Sequence, residues 1–155
     1  MSRFPLLVAV IFLAVILELS IAPYLSVADA TLSLVGILAA GLFLLGFIDL
    51  SLQAALLGGV LLDLAGPSPF GRNTLVLCVL WGFFFLISRY RLIAPRAVVV
   101  SIVMAATGAI LTIPDLLTAP TFLLPIGSAL LHAIFGTVAF LLIKKLFPSP
   151  EVVRL

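Results

Sequence analysis

The sequence predicts an all-α integral membrane protein with six transmembrane helices, and three observations carry that prediction. The 155 residues are 65% hydrophobic and only 9% charged, whereas a soluble domain is about 25% charged. The mean hydropathy of +1.46 leaves too little polar surface to cover a water-soluble domain. Apolar runs of spanning length recur along the whole chain, and about 20 residues suffice to cross the hydrocarbon core. The lysines and arginines stand at the ends of those runs rather than in a patch, so a pI near 9.1 reflects membrane topology and not nucleic-acid binding. Inside lipid every backbone polar group must be satisfied within the chain, which forces helices here. This composition leaves almost no extramembrane domain and excludes most soluble enzyme classes.

The first span runs from Phe4 to about Tyr24, and the polar break Ser26-Val27-Ala28-Asp29 follows. Ala28-Asp29-Ala30 resembles a signal-peptide cleavage site. The apolar region before it exceeds the usual stretch of about 7–15 residues and contains Glu18, so it reads as a retained span. The apolar stretch from Thr31 to Gly66 is too long for one crossing and is interrupted at Asp49-Leu50-Ser51-Leu52-Gln53. It divides into spans of about 31–48 and 52–66 joined by a tight turn, the second of them short and held among other helices. A fourth span covers about 74–88, and the basic loop Arg89-Tyr90-Arg91 to Pro95-Arg96 follows it. A fifth covers about 97–113, before a loop with Pro114, Asp115 and Pro120. The sixth covers about 122–143 and ends on Lys144-Lys145.

Basic residues set the orientation. With six spans and both termini in the cytoplasm, Arg3, Arg89, Arg91, Arg96, Lys144, Lys145 and Arg154 lie inside and only Arg72 lies outside. Five spans would spoil that asymmetry. Tyr24 and Tyr90 fall at the predicted interfaces, which amphipathic rings favour. Cys78 is the single cysteine, so no intrachain disulfide is available.

A charged side chain at the centre of a spanning helix costs about 2.5–3.5 kcal/mol on insertion scales, so each one must pair, bond or work. Asp63 shares a helix face with Ala55, Gly59 and Gly66. Small residues on such a face let a neighbouring backbone approach. The turn Gly66-Pro67-Ser68-Pro69-Phe70-Gly71 then leads to Arg72 and Asn73. A carboxylate near one helix end and a guanidinium near the start of the next are both badly placed for the helix dipoles. A pair between Asp63 and Arg72 would satisfy both, as would bonds from Asp63 to Asn73 or to the first amides of the fourth span. The expected role is to pin this hairpin together. Glu18 lies about 21 Å along its helix and reads as a protonated or hydrogen-bonded interhelical contact. His132 shares a face with Ser128 and Gly136 and reads as an interhelical partner rather than a metal ligand, since zinc needs three or four ligands. Asp29, Asp49 and Asp115 fall at loop edges and read as solvated. No nucleophile–base pairing, phosphate loop or metal cluster appears, so no catalytic residue, cofactor or metal is expected.

Residues 58–82, GGVLLDLAGPSPFGRNTLVLCVLWG, resemble the signature hairpin of the MreD family of rod shape-determining membrane proteins. That pattern is an apolar Gly-Leu-Leu-Leu-Asp run, a short Gly/Pro/Ser turn, then Gly-x-Asn or Gly-x-His and a Leu-rich helix. Gly59, Leu61, Leu62 and Asp63 match it, followed by Pro69-Phe70-Gly71, Asn73 and Leu75. The motif covers about a sixth of the chain, and the remainder is similar in size and layout. Where the family often has Pro-Asp-Leu this chain has Ala28-Asp29-Ala30, and Glu18 stands where the family often has glutamine.

The resemblance implies a non-enzymatic scaffold subunit of the bacterial cell-elongation machinery in the inner membrane. It implies an MreC-like single-span partner and, through it, an MreB-like filament and the peptidoglycan polymerases. It also implies a fold similar to the S-components of energy-coupling-factor transporters, which makes a substrate-binding importer subunit the alternative function. The single Trp81 and the scarcity of polar residues for a pocket argue against that alternative. Binding of a partner helix depends on small residues and interhelical hydrogen bonds. The candidate surfaces are Ala105, Gly108 and Ala109 on the fifth span, the small-residue stripe on the third, and the Ser128–His132–Gly136 face of the sixth.

Overall fold

A computed structural model describes residues 4–21, 24, 32–67, 69–88, 97–113, 115 and 123–147. Among them are six α-helices and no strand: α1 (Phe4–Ser20), α2 (Leu34–Leu44), α3 (Ile48–Ala65), α4 (Arg72–Ser88), α5 (Ala97–Leu111) and α6 (Leu123–Leu146). Two stretches, α3 and Pro125–Leu146 of α6, are long and apolar enough to cross a membrane; the other helices are shorter and apolar. The Ala28-Asp29-Ala30 stretch lies outside the described residues, as do Arg3, Arg89, Arg91, Arg96 and Arg154, on which the orientation rests.

The second and third helices divide differently from the expectation. The turn falls at Leu45–Phe47, not at Asp49–Gln53. Gly46 adopts φ +84°, a conformation that costs glycine little. The Gly46 amide then donates to the Phe43 carbonyl and the Phe47 amide to the Leu42 carbonyl, which closes α2 as a Schellman motif. Helix α3 therefore starts four residues earlier than expected and is full length, and the short helix is α2. The polar residues that suggested a break lie inside α3. Asp49 is in its first turn, where a carboxylate is favoured by the helix dipole. Ser51 is buried, and its hydroxyl donates 2.7 Å to the Ala39 carbonyl of α2.

Helix α2 is the hub. Every residue from Val35 to Leu44 is buried, because α1, α3, α4, α5 and α6 all pack on it. The most extensive pairings around it are α5 on α6 and α3 on α4. Helix α1 presents Leu7, Ile11 and Val15 to the bundle, a stripe at every fourth position.

Polarity runs opposite to that of a soluble bundle. In α6 the buried stripe is Ser128, His132, Gly136, Phe140 and Ile143, while Ile126, Leu130, Ile134 and Val138 are exposed. In α4 the exposed stripe is Leu75, Val79, Phe83 and Leu86. Soluble monomers rarely expose contiguous apolar surface on this scale.

Candidate functional site

Polar chemistry collects at one end of the bundle, where α1, α3 and α5 end and α2, α4 and α6 begin. It forms two clusters.

The first is the α3–α4 hairpin. The side of α3 that carries Ala55, Gly59 and Asp63 is buried against neighbouring helices. A Cβ on Gly59 would stand 2.6 Å from the Thr74 Cα, so the missing side chain is what lets α4 approach. That approach places Asp63, only 5% exposed, over the first turn of α4. Its Oδ1 accepts the Asn73 amide at 2.8 Å, and its Oδ2 accepts the Thr74 amide at 3.1 Å and the Thr74 hydroxyl at 2.6 Å. The first amides of a helix have no intrahelical partner, and a carboxylate is the acceptor that their positive dipole end favours. Gly71, at φ +90°, turns the chain into that position. Gly66 extends the backbone at the end of α3, and the Pro69 carbonyl accepts the Arg72 amide.

Of the two arrangements expected for Asp63, the structure takes the amide one. Arg72 pairs instead with Asp115, which was expected to be solvated. With Asp63 fully engaged by α4, the guanidinium is left to reach across to the segment that follows α5.

The second cluster surrounds the start of α2. Ser33 is the N-cap, and its Oγ accepts the Gly36 amide at 3.1 Å. The Ser33 amide donates 3.1 Å to His132 Nε2 of α6. The Val35 amide donates 2.8 Å to Glu18 Oε2 of α1, and that carboxylate also takes the Ser33 hydroxyl and the Leu34 amide. The four amides at the start of this sequestered helix are thus all satisfied, three of them by side chains of α1 and α6 and one by the Ser33 cap. The bonds also fix the tautomer of His132. Its Nε2 accepts, so Nδ1 carries the proton and donates 2.8 Å to the Ser128 carbonyl. The ring is neutral and both nitrogens are occupied.

The expected interhelical roles of Glu18 and His132 therefore have identified partners. The small-residue surfaces need a correction. A Cβ on Gly108 would meet the Ser128 carbonyl at 2.5 Å and His132 Nδ1 at 2.7 Å; one on Gly136 would meet Met104 Cγ at 2.8 Å. The Ser128 hydroxyl donates 3.0 Å to the Gly108 carbonyl. Gly108, Ser128, His132 and Gly136 are the internal seam between α5 and α6 and offer no face to a partner. Ala105 and Ala109 differ: with Pro125, Ile126, Ala129, Leu130 and Ala133 of α6 they line an open, wholly apolar groove. Small residues in both seam and groove look alike in the sequence, since only the third dimension separates them.

Sequence reasoning missed Thr74 and Ser33. Both carried a signal: a hydroxyl residue in the first turn of a helix, and a serine just before an apolar run. Among the described residues no three His, Cys, Asp or Glu side chains converge as a metal site requires.

Compared with known protein families, with curated proteins and with solved structures, the chain matches none.

Proposed function

We propose that the chain is a non-enzymatic scaffold subunit of the bacterial cell-elongation complex, an MreD-like protein. It crosses the inner membrane six times with both termini in the cytoplasm, in an arrangement similar to transporter S-components. It binds the single transmembrane helix of an MreC-like partner, and through it engages an MreB-like filament and the peptidoglycan polymerases. The observation that carries the reading is the groove of Ala105, Ala109, Ala129 and Ala133. It is an open apolar channel in which these small residues lie beside Ile126 and Leu130. In lipid, helices associate where small residues allow close backbone contact. The hairpin motif adds support, because Asp63 ties its two helices together as an architectural element would. The apolar exposed stripes of α1, α4 and α6 fit a lipid surround. Helix α2, about 16 Å long at 1.5 Å per residue, is too short to cross alone and is covered by its neighbours.

The test is in-cell crosslinking of a tagged chain, mild detergent extraction and mass spectrometry. It compares the native chain with an Ala105→Leu/Ala129→Leu variant that fills the groove. The expected result is an MreC-like protein and cell-wall polymerases with the native chain, and their loss from a variant that keeps its thermal stability. Recovery of a transporter ATPase and its coupling subunit would overturn the reading. So would undiminished partner recovery by the filled variant, as far as the groove is concerned.

A further inference from the structure

Helix α6 carries an exposed line besides the alanines of the groove. Ile134, Val138 and Leu141 follow one another at helical spacing, and all three are exposed. Lys144 and Lys145 stand three and four residues beyond Leu141, so both share its face, and both are exposed. An apolar track therefore ends in two ammonium groups. The helix has 24 residues and is about 36 Å long at 1.5 Å per residue, longer than a hydrocarbon core of about 30 Å. In a bilayer its last turn reaches the level of the headgroups. Among the described residues Asp49, in the first turn of α3, is the one acid at this end of the bundle, and no carboxylate pairs with either lysine. The groove lies toward the other end of α6, from Pro125 to Ala133.

We propose that this end of α6 binds an anionic phospholipid: an acyl chain lies along Ile134, Val138 and Leu141, and the headgroup phosphate meets Lys144 and Lys145. The inference rests on the membrane-spanning reading given above. Lysines near a membrane surface attract anionic headgroups, and their apolar stems let the ammonium groups reach the interface. Every phospholipid has an acidic phosphate, but a zwitterionic lipid carries its own cation beside it, and two lysines repel that cation. A lipid of net negative charge offers the phosphate alone. The packing of α5 on α6 does not use this face, because its contacts run along Ser128, His132 and Gly136.

The test first reconstitutes the full chain into vesicles and asks whether it stays with them after an alkaline wash. A chain that washes off would overturn the membrane reading and this inference together. The retained chain is taken into mild detergent, and native mass spectrometry measures its affinity for phosphatidylglycerol and for phosphatidylcholine with the same acyl chains. Each lysine supplies about fivefold, so phosphatidylglycerol is expected to bind about thirtyfold more tightly. The preference is expected to shrink as salt rises and to vanish in Lys144→Gln/Lys145→Gln. Lys144→Arg/Lys145→Arg keeps both charges and is expected to keep the preference, which separates charge from folding. Equal affinity of the native chain for the two lipids would sink the proposal and leave the membrane reading standing. A preference that survives the glutamine variant would overturn it too, since the charge would then act from elsewhere. So would displacement of the lipid by an equal concentration of inorganic phosphate, which would make the lysines a site for a soluble anion.

Discussion

Asp63 accepts three donors from the first turn of a neighbouring helix. Replacing it with leucine strands two amides and a hydroxyl, each unsatisfied group costing about 1–3 kcal/mol. Asp63→Leu is therefore expected to lose most of its folded yield in detergent and to melt well below the native chain. Asp63→Asn keeps one oxygen as acceptor and is expected to fold with a modest drop; a melting series on purified protein reads both. Native stability in the leucine variant would remove Asp63 from its structural role. The neighbouring Arg72–Asp115 pair is 34% exposed on the arginine side and 41% on the aspartate side and contributes little by comparison, about 0.2–1 kcal/mol. That Asp63 needed a partner was legible, since a carboxylate in an apolar helix must be answered. Which partner answered was not. Arginine, asparagine and the helix amides all lay within reach, and the choice turned on how closely Gly59 lets α4 approach.

Helices here are joined by absences as much as by side chains. Gly59 faces the Thr74 backbone, and Gly108 faces the Ser128 backbone; neither neighbour can rotate away as a flexible side chain would. Gly59→Val is expected to push α4 off α3 and unseat Asp63, at a cost of about 1–3 kcal/mol or more from overpacking. The loss should be visible as a melting shift that Asp63→Asn does not add to, because one displacement breaks both contacts. The element boundaries were partly readable. α1, α4 and α5 lie close to where apolar runs predict. The α2–α3 turn did not, because a cluster of polar residues looked like a break, while the actual break was a single glycine among apolar neighbours. Buried hydroxyls explain the misreading. Ser51 finds its acceptor on Ala39 of another helix, so its polarity carried no information about solvent.

At the scale of the molecule, five helices pack on a short central one, apolar outside and selectively polar within. The helical class, and the six helices among the described residues, followed from composition and run length. The distinction between the α5–α6 seam and the open groove beside it did not, because alanine and glycine stripes have the same pattern whether covered or bare. The enclosure of α2 has a consequence in time rather than in space. Its amides are shielded by five helices along their whole length, and the four at its start, which a free helix end would leave to fray, are held by α1, α6 and its own cap. Exchange of those hydrogens with heavy water should then require the bundle itself to open rather than one end to unravel. Amide exchange on the purified chain is expected to find α2 the slowest segment, its first turn as slow as its middle. If so, the rate at α2 is a clock for the opening of the entire protein.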